Sequence, residues 1–285
     1  MTTIMKLKEP ARRQRSHLSP AGRGRPSETR AAEGDLSQID SAVPAHLDPL
    51  PAAERERAEI TAAALYRLLA WMSPAYPVGA FSYSGGIEWA VEAGDIKDAN
   101  TLRQWLSVMI GEGAGFADAV LFRHAHDATA ANDAAALRAV AELAAALVSS
   151  KERFLETTAQ GRAFADTTQA AWPTPALTRL EAVWSGPVAL PIAVGVACAG
   201  HGISRGPAMR AFLQALAANW ISAGIRLIPL GQTDGQHILA ALEGIVAESA
   251  VRAQTMPLDE LGTSALRADI AGMKHETQYT RLFRS

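Results

Sequence analysis

Cysteine is nearly missing from this 285-residue chain. Cys198 stands alone, so no intrachain disulfide can form, and a reducing compartment suits the composition. Lysine is scarce, with only five residues, and none follows a glycine-rich loop. The phosphate-cradling pattern G-x-x-x-x-G-K-[ST] is therefore absent, and with it nucleotide binding through a P-loop. Long hydrophobic runs are lacking as well. The longest, Pro187 to Gly200, has fourteen residues and is interrupted by Pro191 and Gly195. That falls short of the roughly 20 residues a bilayer-spanning helix needs. Net charge is only -2, which gives no global field toward nucleic acid or membrane. Strand alternation is also wanting; Ile225 to Leu230 is too short to carry a sheet.

What charge there is lies unevenly. Residues 1–30 carry a net +6 and the remainder a net -8, so a basic arm precedes an acidic body. No apolar stretch follows the basic residues, which argues against a secretory signal and leaves a cytoplasmic location as the default. Residues 1–57 are rich in Pro, Gly, Ser, Arg and Glu, and read as a disordered basic extension with too few large apolar groups to offset ordering entropy.

From about residue 58 the period changes to that of a helix. Leu65, Leu68, Leu69 and Met72 fall at i, i+3, i+4 and i+7, and Leu102, Trp105, Leu106, Met109 and Ile110 repeat the pattern. Thr101 with Gln104, and Ser149 with Glu152, have capping-box spacing. Met209, Phe212, Leu213, Leu216 and Trp220 form the cleanest stripe, with Pro207 in the first turn. The segment 187–200, apolar all round, belongs at the centre of a bundle. Gly161 inside a helix costs about 1 kcal/mol relative to Ala and marks a close helix approach. The expected fold is all-α: a single-domain helical bundle of roughly eight to ten helices over 58–266, followed by a C-terminal tail, 267–285.

Candidate chemistry is thin. Ser82 and Ser84 sit in a Gly- and Pro-rich stretch, but G-x-S-x-G and a preceding strand are both absent, so an interhelix loop is the plainer reading. His124 and His126 are two apart and point to different helix faces, which prevents joint chelation. Cys198 and His201 share a face but have no companion ligands, so no metal site is assigned. Gln232, Asp234 and Gln236 are expected to cap the next helix. No catalytic residue and no cofactor are expected.

The tail is different. Its last seven positions hold Tyr279, Arg281, Leu282, Phe283, Arg284 and Ser285, with His275 just upstream. If helical, His275, Tyr279, Leu282 and Phe283 would share one face. Aromatic and Arg residues on an exposed strip are the composition of binding anchors, and these seven residues are the candidate partner-binding set.

Three segments taken together resemble the urease accessory protein F family: S-P-A-Y-P-V-G-A-F-S-Y-S-G-G-I-E (73–88), P-L-G-Q-T-D-G-Q (229–236) and H-E-T-Q-Y-T-R-L-F-R-S (275–285), with F-L-E-T-T-A-Q-G-R-A-F (154–164) a weaker fourth. Gly85 departs from the pattern, which more often has His there. The resemblance implies an all-helical, non-catalytic homodimer. It implies partners too: the D/H accessory protein, the GTPase G, and through them apo-urease, which receives nickel. Arg281 matches the Arg tied to GTPase recruitment. Two other readings compete. One is a helical serine-dependent enzyme pairing Ser82 or Ser84 with His237 or His275; the other is a nucleic-acid-binding regulator using the basic arm.

Overall fold

The computed structural model describes residues 60–285, so the expected disordered arm, 1–57, lies outside the described residues. Their regular structure is entirely helical, with no strand among the described residues. In chain order the helices are α1 (Ala62–Trp71), α2 (Ile87–Glu92), α3 (Ala99–Gly111), α4 (Ala114–Ala130), α5 (Ala134–Ala146), α6 (Lys151–Ala171) and α7 (Pro175–Val183). Then come α8 (Leu190–Gly200), α9 (Arg205–Leu227), α10 (Gln232–Ala241), α11 (Glu243–Ala253) and α12 (Leu266–His275). The count slightly exceeds the eight to ten expected, because short helices such as α2 and the split pair α10 and α11 carry little periodic signal.

The apolar segment forms α8, and every residue from Leu190 to Cys198 is buried. It lies chiefly against α4 and α6. Burial pushes the Cys198 thiol well above its ordinary pKa. Gly161 of α6 lies where a Cβ would fall 2.1 Å from the Val188 carbonyl oxygen, so only glycine lets α6 meet the chain entering α8. Across α4 and α9, Phe122 and Phe212 stack at 5.6 Å within a core that also holds Met209, Leu213 and Trp220.

Two helix starts differ from the expected caps. α3 opens on Asp98, whose Oδ1 accepts from the Thr101 amide at 2.8 Å, while Thr101 Oγ1 accepts from the Asp98 amide at 3.0 Å. The box is thus Asp98 with Thr101, not Thr101 with Gln104. α6 is capped by Ser150, whose Oγ accepts from the Arg153 amide at 3.1 Å. Ser149 is therefore not the cap, and Glu152 is turned inward. Asp234 does cap α10, accepting from the Gly231 amide at 2.8 Å.

One stretch, Ala99–Ala130, has the length and composition to cross a bilayer. It is the pair α3 and α4, broken at Glu112 and Gly113, and 72% of its most apolar window is buried inside the protein. That is the behaviour of core helices.

Candidate functional site

The polar chemistry of the described residues concentrates where α2, α6 and α12 meet the tail. Glycine makes the meeting possible: Gly86, just before α2, has φ +83°, and a Cβ there would fall 2.7 Å from the Gly272 amide nitrogen. α12 thereby lies against the start of α2 and brings His275, fully buried, between two carboxylates. Its Nδ1 is 2.6 Å from Glu152 Oε2 and its Nε2 is 3.0 Å from Glu88 Oε2. Each ring nitrogen thus faces a carboxylate oxygen.

The helix then stops. Residues 276–285 leave the helical path, so His275, Tyr279, Leu282 and Phe283 do not share a helix face as the spacing suggested. The reason lies in where the main-chain groups find partners. Glu276 Oε1 accepts from the Lys151 amide at 2.8 Å. Glu88 Oε1 accepts from the Leu282 amide at 2.6 Å, and its Oε2 from the Phe283 amide at 2.9 Å. A charged acceptor replaces the helical carbonyls, and the chain runs on irregularly.

Further bonds hold the end of the tail. Arg284 donates its amide to the Ser82 carbonyl at 2.8 Å, and the Ser84 amide donates to the Ser285 main-chain oxygen at 2.7 Å. The Ser84 hydroxyl donates to that same oxygen, and Ser285 Oγ donates to Glu156 Oε2 at 3.0 Å. Arg281 Nη1 donates to Glu152 Oε1 at 2.6 Å. The Phe283 ring is buried under the Arg226 guanidinium, 4.2 Å from its centroid. Arg226 also donates to the Phe81 carbonyl at 2.8 Å, tying the loop 79–83 to the same spot. A buried Phe contributes about 1.5–3 kcal/mol of hydrophobic stabilisation, and a cation over the ring adds about 0.5–2 kcal/mol.

Burial alone would push the Glu88 carboxyl up. The His275 N–H and the Leu282 and Phe283 amides outweigh it, and Glu88 is held below the usual carboxylate range. Deeper in, burial raises Asp118 and Glu156 in spite of Arg153, which pairs with both. Burial opposes the charge on Arg153, but these two carboxylates prevail and raise its pKa.

The seven candidate residues therefore divide. His275, Phe283 and Ser285 face inward, Tyr279, Leu282 and Arg284 face outward, and Arg281 is partly exposed with its guanidinium on Glu152. Tyr279 is fully exposed and Leu282 is 64% exposed. Reasoning from sequence missed Glu88, Glu152, Glu156 and Arg226, which hold the tail in this arrangement. Both Glu88 and Glu156 lie inside segments that carry the family resemblance.

Elsewhere, His201 Nε2 lies 3.0 Å from the Trp172 carbonyl, away from any metal-binding arrangement with Cys198. His124 Nε2 faces the Met256 carbonyl at 3.0 Å and His126 Nε2 the Ile203 carbonyl at 2.9 Å, on separate sides of α4. Among the described residues no group of three or more His, Cys, Asp or Glu could hold a metal ion. His237 is exposed on α10, and the Ser84 hydroxyl is committed to Ser285, so neither supplies half of a serine–histidine pair. At Gly85 the φ is +62° and a Cβ would lie 2.9 Å from Trp220 Nε1, so a larger side chain there requires that indole to shift.

A helical body that clasps its own tail with buried carboxylates, and turns aromatic, aliphatic and arginine side chains outward along it, has the build of a binding protein. A profile of the UreF family matches residues 96–243. A urease accessory protein UreF of Rhodopseudomonas palustris (strain BisB18) is 58% identical over 224 residues, covering 79% of this chain and 93% of that protein. Its counterpart in strain TIE-1 is 56% identical over 241 residues, 85% of this chain and 98% of its own. The one from Bradyrhizobium diazoefficiens (strain USDA 110) is 57% identical over 224 residues, covering 79% and 93% respectively. The chain belongs to the UreF family of urease accessory proteins. It is an accessory protein and not an enzyme.

Proposed function

We propose that this chain is a non-catalytic adaptor in urease maturation. It joins the D/H accessory protein and the GTPase G so that nickel, the cargo, reaches apo-urease, and it works as a homodimer in the cytoplasm. Family membership supports the setting. The observation that carries the reading is the division of the tail: Phe283 and Ser285 are anchored inward while Tyr279, Leu282 and Arg284 are displayed outward. A strip fixed in this way loses little conformational entropy on binding, and exposed aromatic and Arg residues are the usual energetic centres of interfaces.

The test is co-purification of the full chain with the D/H protein and the GTPase, comparing wild type with the double variant Tyr279→Ala, Leu282→Ala. Both side chains are exposed, so helical circular dichroism stays intact while the complex is lost. Undiminished complex formation by the double variant would overturn the assignment of the strip. Deleting 275–285 is a less clean experiment, because it strips Glu88 and Glu152 of His275 and Arg281, and Glu156 of Ser285.

A further inference from the structure

We propose that the tail is a strap on a movable cavity wall: residues 79–82 are held against α9 while Phe283 and Arg284 are docked, and loosen when those residues leave. Every contact involved lies within this chain, so the strap operates whether or not a partner grips the outward strip.

The wall borders a cavity of about 410 Å3. Val78, Ala80 and Phe81 line one side, with Phe164 of α6, Val194 of α8 and Leu239 of α10 on others. Ala80–Ser82 is a single short 3-10 turn, and none of its three residues is buried. Phe81 is 68% exposed. The turn is entered through Gly79 at φ +73°, where a Cβ would meet nothing within 4 Å, so packing does not clamp that end. At the other end Tyr83 is buried, and the Ser84 carbonyl accepts from the Ile87 amide at 3.3 Å. Movement therefore stops at Tyr83.

Two bonds attach this run to the rest of the protein. Beyond its own turn, among the described residues, its hydrogen bonds go only to α9 and to the tail. Arg226 Nη2 donates to the Phe81 carbonyl at 2.8 Å, and the Arg284 amide donates to the Ser82 carbonyl at 2.8 Å. The second bond belongs to the tail outright. The first depends on it, because the Arg226 guanidinium lies 4.2 Å from the centroid of the Phe283 ring. Its Nε is tied to the Ser222 carbonyl of α9 at 3.2 Å, so the cation stays behind when the ring leaves. Water then reaches the uncovered guanidinium and competes for the bond to Phe81. Both attachments weaken in one event, and by linkage a loosened wall weakens the docked tail in return. A pull on the outward side chains of the tail thus reaches a cavity bordered by α9 and α10 without touching it.

Hydrogen exchange on the full-length protein tests this through the Ser82 and Tyr83 amides. Their acceptors are the Gly79 and Ala80 carbonyls, inside the run itself. Loss of the tail removes neither acceptor, so faster exchange there reports the wall working loose. In Phe283→Ala both amides should exchange about fivefold faster or more, while amides of α8 keep their protection. Arg226→Ala leaves every main-chain bond of the tail in place. It should speed the same two amides and those of Leu282 and Phe283 together. Wild-type protection of Ser82 and Tyr83 in either variant would overturn the proposal. So would a loosened wall in Arg226→Ala beside a tail that exchanges as in the wild type.

Discussion

Glu88 and His275 are 187 positions apart in the chain and 3.0 Å apart in space, carboxylate oxygen to ring nitrogen. One side chain belongs to a six-residue helix beside a glycine turn, the other to the last turn of α12. Their contact brings the tail back onto the body and decides which of its side chains face water.

Acid should undock the tail before it unfolds the bundle. Glu88 titrates below its unfolded value, so its contribution is fully present above the ordinary carboxylate range of about pH 4 and is lost as pH falls through its folded value. Exchange of the Leu282 and Phe283 amides near pH 3 should exceed that of α8 amides. Equal loss of protection in both places would contradict the assignment.

Phe283→Ala and Leu282→Ala should part company although the residues are neighbours. The first empties a buried site beneath Arg226 and removes up to about 3 kcal/mol of docking. The second alters an exposed surface and should stay within about 0.5 kcal/mol. Trypsin cleavage after Arg281 in the native protein reads the difference, rising in the first variant only.

Gly161→Ala should destabilise the whole molecule by about 2 kcal/mol or more, despite alanine's higher helix propensity. The new methyl would meet a main-chain carbonyl at 2.1 Å, which cannot swing aside as a side chain can. Urea denaturation gives the value. A neutral or stabilising result would mean that α6 and α8 separate freely.

Cys198 should be inert toward thiol reagents in the native protein, since burial suppresses the thiolate and blocks access. Labelling with an aromatic disulfide reagent should begin only across the unfolding transition.

Periodicity in the sequence made the helices legible, because apolar residues at three- and four-residue spacing gather on one side of a helix but scatter over both faces of a strand. The α9 stripe from Met209 to Trp220 and the all-apolar α8 are where the pattern put them. Caps shifted by one to three residues, as at Asp98 and Ser150, because several Ser, Thr and Asp side chains near a helix start compete and only tertiary packing chooses among them. The aromatic and Arg content of the tail was visible too, yet its orientation was not. Glu152, Glu156 and Gln160 recur at i, i+4 and i+8, which in a lone sequence looks like a solvated helix face. They are buried because His275, Arg281 and Ser285 arrive from the end of the chain to satisfy the two carboxylates, with Arg153 and Gln160 of the same helix also on Glu156. A polar face and a polar interior have the same spacing, and only the partners distinguish them.

The immersion of α8 has its own result. An ordinary surface helix offers harmless positions on its wet side, so tolerance to substitution rises and falls with each turn. From Leu190 to Cys198 no such side exists. A saturation scan across these nine positions should give an unbroken band of intolerance to polar residues, without the three-to-four-residue rhythm found in α3 or α5.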